Sequence, residues 1–394
     1  MSRTLTLNPT SSLESPAAKH APPSLRVVAI GGGTGLSTLL RGLKRYVPAT
    51  IASRRATDAP PRVPSTPEPT RNPAFPAQPG IDRRAGSTTP LLHCLIHDLA
   101  AVVTVTDDGG SSGRLREDLN ILPPGDVRNC MVALSEDELL LARLFQYRFS
   151  QGDLEGHSFG NLFVAALSGI TGDFAQAVQM SSQILATRGR IYPATNTNVT
   201  LAARMDSGEV VHGETSITAS PHRILELMLE PAGCEPLPGT LDAIANADLI
   251  TLGPGSLYTS LITNLLVRGI PEAIAASKAT RVYIGNLMTQ ANESLGLTAS
   301  QHIERILQHC PGGNSHLPFP KLFDYALINT APISPTLLQQ YAREGQAPIE
   351  PDLDRIRALG VEPIAGNFVL EGSVLRHDPD RVTEALLQLA LRMA

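Results

Sequence analysis

Glycines that end apolar runs, and the small clusters of carboxylate, arginine, histidine and asparagine that follow other runs, are where this chain carries residues able to do chemistry. The leading case is Val27-Val28-Ala29-Ile30-Gly31-Gly32-Gly33-Thr34-Gly35, followed by Leu36, Leu39, Leu40 and Leu43 at helical spacing. This reads as strand, tight loop and helix, with Gly32, Gly33, Thr34 and Gly35 at a helix N-terminus. Unpaired amides and the positive end of the helix dipole meet there and favour a phosphate or another anion. A dinucleotide fingerprint would need a third glycine where Leu36 stands, so the match is partial, and no Gly-Lys-Ser/Thr follows to make a Walker A loop. The alternative is a tight strand-to-helix turn with no ligand.

Asp107, Asp108 and Gly109 follow the β-branched run Ala101–Thr106 and form a second polar tip. Two adjacent carboxylates can hold Mg²⁺, orient a sugar hydroxyl or act as a base; otherwise they make an Asx turn and a helix cap. Arg114 and Arg116 beyond them are phosphate forks or solvated helix residues. After the rigid Leu122-Pro123-Pro124-Gly125 turn come Asp126, Arg128 and Asn129, as ligand residues or, for Asp126, as the N-cap of its own helix. Gly156–Asn161 puts His157 and Asn161 at the head of an apolar helix, where the histidine is an acid, a base, a phosphate donor or a structural hydrogen-bonding residue. The opening theme then repeats: Asp248–Leu252 as strand, Gly253-Pro254-Gly255-Ser256 as turn, and a helix from Leu257 to Leu266 that carries Asn264. Asn286 follows a strand at Arg281–Ile284, and Arg376 precedes a last helix capped by Asp378 with Pro379 at its first position.

These tips need an open sheet to hold them. Strands alternating with helical patterns predict an α/β, three-layer Rossmann-like fold with a mainly parallel sheet, whose ligands bind beyond the carboxyl ends of the strands. A β-rich passage from Val199 to Ile217, with a turn near Asp206-Ser207-Gly208, predicts a small β subregion. Residues 1–24 lack periodicity and are expected to be a disordered tail. Ten prolines between Pro48 and Pro90 make that stretch a flexible insertion in a domain spanning 25–394. A loop insertion is expected at 311–320, and Ser135-Glu136-Asp137-Glu138 reads as a capping box.

Composition excludes several classes. A net charge of −5 and the lack of tryptophan remove the electrostatic footprint and stacking platforms of a nucleic-acid binder. Four separated cysteines without a C-x-x-C argue against structural zinc and a disulfide framework, and fit a reducing cytoplasm. No apolar run is long enough to span a membrane. With only four lysines, none in a glycine loop, a bound phosphate must rely on amides and arginine, and Arg376 is the preferred arginine.

Taken together, Gly31–Leu36, Thr106–Arg116, Leu122–Asn129, Gly156–Asn161, Leu252–Ser260, Gly285–Gln290 and Arg376–Asp378 resemble the YvcK-like gluconeogenesis factor family, relatives of the CofD-type phospholactate transferases. The resemblance implies a cytoplasmic protein that binds UDP-sugars such as UDP-N-acetylglucosamine and links gluconeogenic growth to cell-wall synthesis and cell shape. A homodimer and protein partners in cell-wall synthesis are expected with it, and no catalytic residue or certain cofactor. The alternative it implies is a transferase of a phosphate-linked group, using Mg²⁺ at Asp107 and a deazaflavin acceptor. No aromatic cluster stands at the strand tips to stack such a ring, which favours the regulator.

Overall fold

The computed structural model describes residues 24–48, 95–136, 140–310 and 321–393. The expected tail (apart from Ser24), the proline-rich insertion (apart from Pro48) and the 311–320 loop lie outside the described residues. So do Asp137 and Glu138 of the expected capping box. Ser135 pairs with Thr187 in an isolated bridge, and Glu136 Oε1 accepts from Arg188 Nε at 3.0 Å.

Seven parallel strands form the main sheet: β1 (Ser24–Gly31), β2 (Leu95–Val103), β3 (Arg190–Pro193), β7 (Leu249–Leu252), β8 (Thr280–Ile284), β9 (Tyr325–Asn329) and β10 (Glu362–Gly366), in the order β10-β9-β8-β7-β1-β2-β3. Helices cover both faces, so the strands read as continuous apolar runs, and every residue of β7 is buried. A separate antiparallel sheet joins β4 (Thr200–Met205), β5 (Val210–His212) and β6 (Ile224–Glu230), with Asp206–Gly208 turning between the first two. The last pair, β11 (Val369–Leu370) and β12 (Arg376–His377), is a two-stranded ribbon. The architecture is the three-layer α/β fold with a small β subregion that the alternation of patterns predicts.

The second strand differs from its expected span. The ladder stops at Val103 because its neighbours run out: Thr104 N–H donates to Gly31 O and Ala194 N–H to Val103 O, and no ladder bond continues past these among the described residues. Thr104 and Thr106 stay buried in the loop, which is why their β-branched run reads as strand.

Topology sets where a ligand can sit. From β1 the chain steps outward through β2 to β3, then returns to β7 on the other side of β1 and continues to β10. The carboxyl ends of β1 and β7 therefore flank the point where winding reverses, and such sheets open a crevice there. At the opposite edge, Arg26 beside β7 and Arg281 beside β9 repeat one device. Each donates its backbone N–H and its guanidinium to the aspartate that precedes the neighbouring strand, Asp248 and Asp324 respectively. Arg26 thereby holds the Asp248 carboxyl below its ordinary range.

The two glycine loops touch. At Gly35 an added Cβ would stand 2.7 Å from the carbonyl carbon of Pro254. Gly35→Ala is therefore expected to destabilise the protein by about 1–3 kcal/mol, despite alanine's better helix propensity. A denaturant midpoint that rises on this substitution would show that the loops are free to separate.

Candidate functional site

The first loop needs its glycines for two reasons. Gly33 has φ +62, a left-handed conformation, and at Gly32 a Cβ would lie 2.8 Å from Asp126 Oδ2. The space is taken because Asp126 Oδ2 accepts from Gly33 N–H at 2.7 Å. Asp126 thus caps the helix Gly33–Leu43 and not its own helix, Gly125–Leu134, whose N-cap position is Pro124 with no side-chain cap. Burial pushes the Asp126 carboxyl up to about 6 against the pull of that amide, and Asp107 adds to the rise.

The second loop is built alike. Gly253 has φ +93, and Ser256 precedes a helix that begins with π geometry at Leu257–Ile262 before continuing through Thr263–Leu265. Here the internal carboxylate is Glu293, which accepts from Thr259 Oγ1 at 2.9 Å and from the amides of Tyr258 and Thr259. Burial raises its pKa, and its Oε2 has no partner. Gln290 Nε2 donates to Ser256 Oγ at 2.9 Å. Asn264 sits beneath the loop, fully buried, with Nδ2 donating to Gly31 O at 3.1 Å and Ser260 O at 2.7 Å; it ties the end of β1 to this helix and does not line the crevice.

Between the loops lies a crevice of about 250 Å³. Gly32, Gly33, Thr34, Gly35, Gly255, Ser256, Asn286 and Arg376, singled out in the sequence, all line it. Gly253 stands behind it. Sequence reasoning did not single out Thr38, Ser260, Gln290, Tyr341 or His377, which line it too. Ser260, Gln290 and His377 had a signal, since each lies in a stretch that carries the family resemblance; Thr38 and Tyr341 had none. His377 is neutral, its pKa lowered to about 4 by burial, and its Nε2 donates to Gly285 O at 3.0 Å. The Arg376 guanidinium makes no hydrogen bond or ion pair among the described residues, and of these residues it is the only cation lining the crevice. A larger groove, about 1050 Å³, borders β3, but its charged groups are spent inside the chain: Glu136 on Arg188, Arg190 on Asp98, Asp173 on Gln176 N–H and Asn196. Among the described residues it offers no free cation to a phosphate.

The tip of β2 forms a separate acidic wall. Asp107 Oδ1 accepts from Gly109 N–H at 3.0 Å, and Asp108 Oδ1 accepts from the Thr215 amide at 2.9 Å and hydroxyl at 2.6 Å. Neither carboxylate lines the crevice. Glu214 joins them, and burial together with Asp107, Asp126, Glu293 and Asp108 pushes its pKa up to about 9, so it is protonated at neutral pH. As for Mg²⁺, no group of three or more His, Cys, Asp or Glu is arranged for a metal among the described residues, and Asp107 and Asp108 each commit an oxygen to the protein. Each keeps its second oxygen outside these bonds. His157 and Asn161 share Ser111 Oγ, each at 3.1 Å, in a buried chain that joins two helix starts. Burial, with Arg114, lowers the histidine's pKa. Arg128 donates to Asn129 Oδ1 at 2.8 Å and packs on Gly160, away from the crevice. Arg116 reaches Val199 O and Thr200.

Residues 27–369 match the family described as 2-phospho-L-lactate transferase CofD. The chain belongs to the CofD family. Several relatives of similar length or longer carry the name gluconeogenesis factor. The one from Halalkalibacterium halodurans is 43% identical over 364 residues, covering 92% of this chain and 95% of its own. The one from Bacillus subtilis is 40% identical over 366 residues, covering 92% and 98%. A crystal structure of a Bacillus halodurans protein superposes with a TM-score of 0.76 at 43% identity, covering 92% of this chain and 99% of that one. The resemblance drawn from the sequence motifs therefore holds over most of the chain. No helix of the described residues is long and apolar enough to cross a membrane.

A carboxyl whose pKa rises on folding favours the folded state fully below its ordinary range and loses that contribution as pH rises through the folded value, here about 6. Asp126→Asn keeps an oxygen for Gly33 N–H without the buried charge. It is expected to gain about 1–3 kcal/mol on the parent protein between pH 5 and pH 8. Thermal unfolding of both proteins across that range measures it; parallel curves would overturn it.

Proposed function

We propose that this protein binds a nucleoside-diphosphate sugar of the UDP-N-acetylglucosamine type in the crevice between its glycine loops, and acts as a regulator that couples gluconeogenic growth to cell-wall synthesis and cell shape. The observation that carries the reading is Arg376, an unpaired guanidinium facing two helix N-termini across the point where the sheet reverses its winding. Helix ends supply partial positive charge and an arginine fork supplies the rest, grasping two phosphate oxygens together. Asp126 and Glu293 already occupy one amide of the first helix and two of the second, so the remaining amides of Thr34 and Gly35 are the ones open to phosphate. The relatives named gluconeogenesis factor support the growth role.

The CofD match keeps the transferase reading in view, with a phosphate-linked group leaving the same crevice. Incubation of the purified protein with Mg²⁺ and UDP-N-acetylglucosamine or a phospholactyl donor decides between them: donor loss above background establishes turnover.

A charge-assisted contact is worth about 1.5–3 kcal/mol, so Arg376→Ala is expected to weaken UDP-N-acetylglucosamine binding about 10- to 100-fold without altering the thermal transition. Arg376→Lys recovers part of the loss, because a point charge cannot copy the fork. Calorimetric titration reads both; unchanged affinity in Arg376→Ala removes the crevice as the phosphate site.

A further inference from the structure

A second cavity, about 310 Å³, lies beyond the carboxyl ends of β8 and β9, lined among others by Asn286, Leu287, His302, Thr330, Ile333 and Ile349. Three features distinguish it. His302 is 0% exposed, and neither ring nitrogen has a hydrogen-bond partner. Burial lowers its pKa to about 4, so the ring is neutral and offers one donor and one acceptor. Among the described residues the only charged group that acts on it is Asp352, whose oxygens are taken by Thr298 and Ser300. No charged side chain of the described residues lines the cavity. The wall it shares with the crevice is Asn286 and Leu287, and Asn286 Oδ1 is again buried without a partner.

Buried polar atoms in native proteins are almost always satisfied, so a neutral cavity with three orphaned ones is built for a guest that brings both donors and acceptors. The crevice itself, at about 250 Å³, is below the usual size of a ligand pocket, and a nucleotide sugar needs more room. Parallel strands stand about 4.8 Å apart, which puts the β8 and β9 tips about 10 Å from those of β1 and β7, the reach of a nucleotide from its diphosphate to its base. We infer that the cavity behind Asn286 and Leu287 is the nucleobase pocket, receiving the uracil ring with His302 as the side chain that reads its polar edge. The sugar then points out of the crevice, away from β9. This inference rests on the nucleotide-sugar reading above.

Calorimetric titration of the full chain with UDP, and with inorganic diphosphate as the base-free control, tests it in the parent protein, in His302→Leu and in Ala331→Phe, which fills the cavity. The parent is expected to bind UDP at least tenfold more tightly than diphosphate. Each variant is expected to lose most of that ratio while its diphosphate affinity stays within about twofold. His302→Leu, which removes two unpaired buried nitrogens, is expected to unfold at a higher temperature and keeps the test open if the bulkier variant fails to fold. A ratio unchanged in His302→Leu means that the cavity holds only water and overturns the base assignment while nucleotide binding stands. A parent protein that binds no UDP sinks the nucleotide reading itself, and the base assignment with it.

Discussion

Backbone lies against backbone where the two glycine loops meet: Gly35 packs on Pro254 with no room for a side chain between them. The contact brings together the ends of two strands more than 200 residues apart in the sequence, and the crevice takes its shape from it. Asn264 holds the same junction from below, spending its amide on Gly31 O and Ser260 O. With the strand ends fixed in this way, the sheet places the two loops of the crevice, while Arg376 and His377 on the two-stranded ribbon and Tyr341 on its helix close it from outside the sheet.

The electrostatics of this edge work by substitution. A helix N-terminus attracts an anion, and here the chain supplies one itself at each loop, Asp126 at the first and Glu293 at the second. Both are held at a cost in solvation, so their pKa values rise. Glu214, crowded by four other carboxylates, keeps its proton. The acidic wall therefore carries less negative charge than its composition suggests.

Much of the fold is legible in the sequence because its strands are buried on both faces. β1, β7, β8 and β9 read as short apolar runs ending in glycine or asparagine, and the turn at Asp206–Gly208 and the Asp378 cap, which accepts from the amides of Asp380 and Arg381, follow from local residue chemistry. The residues of the site were less legible. Asp126 reads as the cap of the helix it belongs to, yet its partner is 93 positions away. Tyr341 and Thr38 sit on ordinary amphipathic helices and carry no sign that they face a crevice, and His302 is an unremarkable histidine until the absence of partners around it is seen. Local pattern determines which element forms; which distant element it meets depends on packing order, and that is where the reading of single residues runs out.

The Arg26–Asp248 and Arg281–Asp324 pairs fasten the sheet at the edge away from the crevice. The described residues that flank 49–94 and 311–320 lead into β2 and β9 at that same fastened edge, Lys321 handing its carbonyl directly to Arg281. One end of the sheet is thus open to editing. Chain can be lengthened, shortened or replaced there without disturbing the geometry of the glycine loops at the other end of the sheet.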